Sequence, residues 1–248
     1  MSGTTARSDH NGAVPDWLGK LVAAASQIDL GPLALPPDGG GKPSAVLILF
    51  ASENEHSGPD LLFIQRSEGL RLHPGQPAFP GGAIDAEDAG PVAAALREAV
   101  EETGLDPAGV DVLGTLPELF ISRTGFRVVP VLAWWRQPCA VAPVDAAEVA
   151  AVERIGVSEL ADPATRLMVR TPGGHLSPAF RVRGLLIWGF TAALVDRLLA
   201  LGGWEKPWDT SVVADLPLRS AGSLGPGGAL PPDPQGRDDP PHPPFGSS

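Results

Sequence analysis

The stretch at residues 79–105, FPGGAIDAEDAGPVAAALREAVEETGL, constrains this chain more than any other. Its second half, residues 91–103, carries helix signals at both ends. Pro91 suits a first turn, where its missing N–H costs nothing. Gly104 suits the stop. Val92, Leu96, Ala99, Val100 and Thr103 recur at helical spacing, which predicts an apolar face. Glu98, Glu101 and Glu102 stand at i, i+3 and i+4 and share a second face. At about 100° per residue, that face lies almost opposite the first. The pattern predicts a helix with one side in a core and three carboxylates together on the other.

Carboxylates held together repel and raise one another's pKa. A solvated helix face usually alternates signs instead. The cluster reads either as a surface acidic patch or as a seat for a hard cation. Mg²⁺ prefers oxygen ligands and is commonly bound by a few carboxylates plus substrate phosphates.

The neighbours favour the second reading. Gly81 and Gly82 precede the helix, and Arg97-Glu98-Ala99-Val100-Glu101-Glu102-Thr103-Gly104-Leu105 runs through it and past its end. This resembles the Nudix hydrolase box, G-x5-E-x7-R-E-U-x-E-E-x-G-U with U apolar. The second half fits throughout, with Ala99 a small U. In the first half Gly82 lies one residue further from Arg97 than the box asks. The mid-box Glu position falls on Ala89, with Glu87 and Asp88 as close substitutes. Upstream stand Arg66-Ser67, Arg71, Gly75 and Phe79-Pro80-Gly81-Gly82 at intervals of three intervening residues. These resemble the coenzyme A pyrophosphatase signature LLTxRSx3Rx3Gx3FPGG, although Leu62-Phe63-Ile64-Gln65-Arg66 replaces its second Leu and its Thr. Members of that branch share the longer spacing. The resemblance spans roughly residues 40–203. Residues 187–191, IWGFT, are similar to the entry of that branch's last helix, a pattern a plain tryptophan-anchored helix start would share.

The resemblance implies an α/β fold, a Nudix-type three-layer α/β/α sandwich on a mixed β-sheet, and the composition beyond it adds a disordered C-terminal tail. It implies hydrolysis of the pyrophosphate bond of coenzyme A or its derivatives. The alternatives are another nucleoside diphosphate derivative (ADP-ribose, a dinucleotide, an oxidised nucleotide) or a non-catalytic nucleotide-binding module. It implies Mg²⁺ or Mn²⁺, with Glu98, Glu101 and Glu102 as ligands and the Gly82 carbonyl adding one. A carboxylate on a metal is a poor base, so Glu148 is a candidate general base beside those three. Arg66, Arg71, Gly75, Phe79 and Gly81 are carried over as substrate-binding residues. Arginine forks suit both the pyrophosphate and the 3′-phosphate of coenzyme A. Arg97 reads as an orienter of the glutamates or their loop, and His73 as a hydrogen-bonder within the loop.

The whole chain agrees with this. At 43% hydrophobic residues it can bury a full core. A formal charge of −11 argues against a duplex nucleic-acid binder, so local arginines and a metal must draw in an anionic substrate. Cys139 is the only cysteine, which excludes an intrachain disulfide and a thiolate metal cluster. The start lacks an apolar signal region, and no apolar stretch reaches the roughly 18–20 residues of a membrane span. The expectation is a cytoplasmic protein with no membrane or nucleic-acid partner and an oligomeric state left open.

Three segments are expected: a flexible start at 1–16, a hydrolase domain at 17–203, and a Pro/Gly-rich, mostly disordered tail at 204–248. Within the domain, residues 17–27 read as an amphipathic helix. Residues 45–50, AVLILF, read as a strand covered on both faces. Residues 61–66, 110–116, 126–135 and 148–157 read as further strands, with 117–125 as a loop. Residues 167–171 and 179–183 could pair, ahead of a last apolar helix.

Overall fold

The computed structural model describes residues 13–25, 40–52, 58–70, 73–121, 124–171 and 174–216. The expectations for Arg71, for the first 12 residues and for residues 217–248 lie outside these.

The run AVLILF forms the middle of the central strand, β1 (Lys42–Ala51). Successive strand side chains point to opposite faces, so a continuous apolar run feeds two cores. Ala45, Leu47 and Leu49 face one, and Ile48 and Phe50 the other. Strands β2 (Asp60–Arg66), β3 (Pro77–Ala78), β4 (Gly81–Ala83), β5 (Val110–Thr115), β6 (Leu119–Ile121), β7 (Phe126–Trp135) and β8 (Val149–Gly156) complete an eight-stranded sheet. It is mixed: β1 runs parallel to β7 and antiparallel to β2 and β4. The loop expected at 117–125 contains β6, antiparallel to β7.

Helix α1 (Asp16–Ala25) lies on one face of the sheet, α2 (Pro91–Thr103) on the other. After a single helical turn, α3 (Val157–Leu160), a second sheet is built from β9 (Arg166–Arg170), β10 (Leu176–Val182) and β11 (Leu185–Ile187). Helix α4 (Gly189–Leu201) joins α1 in the larger core. The layers are therefore α2, the large sheet, and α1 with α4: an α/β/α sandwich on a mixed sheet.

Past residue 203 the chain stays on the fold. Trp204 packs edge-on against Trp17 at 5.0 Å, and β12 (Val213–Asp215) adds a parallel strand to β9. The ordered part therefore runs beyond the expected boundary. The signal was two tryptophans and a short Val-Val-Ala run inside a stretch judged by its Pro and Gly content.

The structure also corrects the helix faces. The residues of α2 that are buried are Ala94, Ala95, Ala99, Glu102 and Thr103, whereas Val100 is 37% exposed. Three alanines without bulk let the helix lie close on β1 and β4. Close approach, more than side-chain hydrophobicity, decides which face turns inward.

Candidate active site

The site begins where β4 lies on β1, with Gly81 opposite Val46 and Gly82 opposite Ala45. A Cβ on Gly81 would stand 2.3 Å from the Ala45 carbonyl oxygen, and one on Gly82 2.3 Å from Glu98 Oε1. Only glycine permits this approach. It brings the Gly81 N–H to donate to Glu102 Oε2 at 2.9 Å.

The three glutamates do not share an open face. Glu102 is 6% exposed. Burial pushes its carboxyl up to about 8; the Gly81 N–H and the Arg66 charge pull it down, while Glu98 and Glu148 push it further up. Glu98 is half-buried and is also raised, first by burial, with Arg97 opposing. Glu101 alone points to solvent, its side chain 56% exposed. Helical spacing placed them together; the tilt of α2 onto the glycine turn separates them.

Arg97 is the orienter. Its Nη1 donates to Glu98 Oε1 at 3.1 Å and to Glu101 Oε2 at 3.0 Å. Its Nη2 reaches the Ala83 carbonyl at 3.0 Å. Nε and Nη2 fork onto Asp88 at 3.1 and 3.0 Å. That fork holds the Asp88 carboxyl below the ordinary carboxylate range. Asp88 thus fills the place left by the missing mid-box glutamate. The insertion before Arg97 hid this in the sequence, where Asp88 was one of two near substitutes.

Arg66 and Glu148 come to the same place. Each is close enough for its charge to act on Glu102. Glu148 is delivered by the segment after β7. There the Ala142 and Val144 N–H groups donate to the Thr103 and Glu102 carbonyls, at 3.0 and 3.3 Å, capping the end of α2. The Ser67 N–H then donates to the Glu148 carbonyl at 2.9 Å.

Two expected substrate contacts have other roles. Phe79 is 3% exposed and stacked on Phe63 at 5.0 Å, so it belongs to the core. Gly75 closes the loop after β2: its N–H donates to the Ser67 carbonyl at 3.4 Å, and a Cβ there would overlap the Glu68 carboxylate. His73 Nδ1 bonds Gln76 Oε1 at 2.9 Å within that loop, as expected.

Among the described residues, no three Asp, Glu, His or Cys side chains stand ready-grouped around one metal position. The donor set still fits a hard cation. Glu98 and Glu102 are desolvated, repel each other, and adjoin a backbone turn with no side chain in the way. A cation offsets each of those costs, and oxygen donors suit Mg²⁺.

Comparison with known proteins gives the same frame. The NUDIX domain family matches residues 41–171, more than half of the 248-residue chain. The uncharacterized Nudix hydrolase NudL of Cronobacter sakazakii is 40% identical over 162 residues, covering 60% of this chain and 78% of that protein. NudL of an Enterobacter species is 38% identical over 177 residues, covering 66% and 84%. A solved Nudix hydrolase from M. smegmatis, RenU, aligns at TM-score 0.48 and 21% identity over 71% of this chain and 96% of its own. The family's span runs from β1 through the box helix to β9, taking in the glycine turn, the glutamates, Arg66 and Glu148, and the chain belongs to the Nudix hydrolase family, whose members cleave the diphosphate bond of nucleoside diphosphate derivatives.

Proposed function

We propose that this enzyme hydrolyses the pyrophosphate bond of coenzyme A or its derivatives, giving 4′-phosphopantetheine and adenosine 3′,5′-bisphosphate. One observation carries the reading. The segment that resembles the coenzyme A signature starts at Arg66 and ends at Gly81-Gly82, and both ends converge on Glu102. That convergence supports reading the stretch between the two ends as the part of the chain that selects the substrate.

Glu98, Glu102 and the Gly82 carbonyl would hold a divalent cation, Mg²⁺ or Mn²⁺, with Glu101 turning in from Arg97. The ion would neutralise the diphosphate and acidify a water. The chain's own residues do the rest. Arg97, fixed by Asp88 and the Ala83 carbonyl, keeps Glu98 aimed at the turn. Glu148, on the exposed side and free of α2, takes the proton of the water that attacks phosphorus. The P–O bond to the other phosphate breaks, and that phosphate departs with the electron pair.

The test is turnover of coenzyme A, dephospho-coenzyme A, ADP-ribose, a dinucleotide and an oxidised nucleotide, with and without Mg²⁺. Metal-dependent cleavage with the highest kcat/KM on coenzyme A is expected. A higher value on ADP-ribose or a dinucleotide would overturn the substrate choice, and no turnover of any would overturn the enzyme reading. Arg71, at the signature's second arginine position, is assigned to the 3′-phosphate. Arg71→Ala should raise KM for coenzyme A more than for dephospho-coenzyme A, because only the first offers that group for a bidentate contact.

A further inference from the structure

Arg66 ends β2 where the pairing is irregular: the register with β8 slips between Gln65 and Arg66. Backbone bonds tie this point on two sides. The Arg66 N–H donates to the Gln76 carbonyl at 3.1 Å, and the next N–H, of Ser67, to the Glu148 carbonyl at 2.9 Å. The side chain therefore springs from a fixed base beside the glutamates. Its Nε is buried, and among the described residues it has no hydrogen-bond acceptor. Arg154 shows the ordinary alternative, since its Nε and Nη2 donate to the Asp60 carboxylate at 3.0 and 2.6 Å.

A buried polar group without a partner calls for an explanation. Guanidinium donors in a fixed fork match phosphate oxygens. The anion that must lie closest to Glu98 and Glu102 is the diphosphate being cut. A 3′-phosphate hangs from the ribose, beyond the nucleoside side of the scissile bond. We propose that Arg66 binds the scissile diphosphate itself, and not the 3′-phosphate of a coenzyme A-type substrate. It is then a residue for every diphosphate the site accepts, and the choice of coenzyme A is made elsewhere on the signature. The assignment rests on reading Glu98 and Glu102 as the diphosphate-cleaving centre, but not on coenzyme A being the substrate.

Arg66→Ala and Arg66→Lys should be assayed on coenzyme A, dephospho-coenzyme A and ADP-ribose, with imidodiphosphate as a competing ligand. The alanine variant should lose roughly ten- to a hundredfold in kcat/KM, by the same factor on each substrate the parent cleaves. The lysine variant should lose less, because it keeps the charge but not the fork. The inhibition constant of imidodiphosphate should weaken in step. A loss confined to coenzyme A would give Arg66 to the 3′-phosphate and overturn the proposal. So would lost activity with unchanged imidodiphosphate binding, which would make Arg66 a support for the glutamates, or no loss at all. If the alanine variant fails to fold, the lysine variant carries the same comparison. If the parent leaves coenzyme A uncut, the substrate choice made above falls, while an equal effect on ADP-ribose still upholds Arg66.

Discussion

Among the described residues, two charged residues are buried as a whole, backbone and side chain together, Glu102 and Arg166. Arg166, on β9, is 4% exposed. Its guanidinium lies between the rings of Phe180 at 4.9 Å and Trp208 at 4.4 Å, and its Nη2 donates to Asp196 on α4. An opposite charge and two ring faces meet the charge inside the chain, while Nε and Nη1 are buried without a hydrogen-bond acceptor among the described residues. Glu102 has one N–H from Gly81, like charges in Glu98 and Glu148, and Arg66 as the opposing charge acting on it. One buried charge fastens a segment. The other is left in deficit, and its deficit is what a cation and a substrate would fill. Burial of charge alone does not mark a site; a buried carboxylate crowded by like charges does.

The largest expected effect breaks the Glu102 side of this comparison. Glu102→Gln should lower kcat at least roughly a hundredfold, since it removes a buried ligand charge with little change in volume. The stability of protein stripped of divalent metal should hold or rise, because glutamine spares the fold the cost of keeping a carboxyl protonated beside Glu98 and Glu148. Mg²⁺ should raise the Tm of the parent and shift the variant much less. The pH dependence comes from the sign of the shift. In the stripped protein Glu102 keeps its proton up to about 8, whereas the unfolded chain releases it near 4.5. The folded state therefore binds more protons between those values, and its stability falls as pH rises through that window. Denaturant titrations from pH 5 to 9 should show this decline in the parent and a flatter profile in Glu102→Gln. Equal slopes would mean that Glu102 is already ionised and compensated.

The next effect tests the answered charge. Arg166→Ala should cost about 3 kcal/mol in denaturant unfolding, from lost packing between two rings and a stranded Asp196. Because Asp196 keeps 26% of its side-chain surface in water, Arg166→Met should recover most of that loss by filling the space between the rings. Neither should change kcat of the folded enzyme by more than about twofold, since Arg166 touches none of the site residues. If Arg166→Ala instead abolishes turnover while the fold survives, the two buried charges are coupled and the contrast between them fails.

Glu101→Gln should act less strongly than Glu102→Gln, on the order of tenfold in kcat with stability unchanged, because Glu101 stands in water and is already neutralised by Arg97. That difference also marks where the sequence stops being legible. The box gave the helix, its Pro91 start and its Gly104 stop, and the AVLILF run gave a strand with two covered faces. Spacing alone put Glu98, Glu101 and Glu102 on one side. It could not foresee that Ala94, Ala95 and Ala99 would set the contact and roll Glu102 inward. Phe79 is the opposite case: a fixed position in a signature near the site turned out to be a core ring. Arg166 was illegible because its partners, Phe180, Asp196 and Trp208, come from three separate segments. The Asp88 fork was half legible, since the residue type was right and only its register was hidden.

The smallest effect concerns the C-terminal end of the chain, past the segment that Arg166 fastens. Trp204 and Trp208 pack on Trp17, Phe50 and Arg166, and β12 pairs with β9, so a cut after Gly203 should cost at least as much as Arg166→Ala. A cut after Arg219 should do almost nothing. The residues beyond it are dominated by Gly, Pro, Asp and Ser, a composition with too little apolar surface to offset the entropy of ordering. A segment of that composition is expected to add little packing, so Tm should stay put and turnover should remain within about twofold. The two truncations bracket the functional edge of the enzyme. If the shorter cut also lowers Tm or kcat, residues 220–248 hold the domain by contacts their composition conceals, and the compensation of Arg166 would have to be counted again with them included.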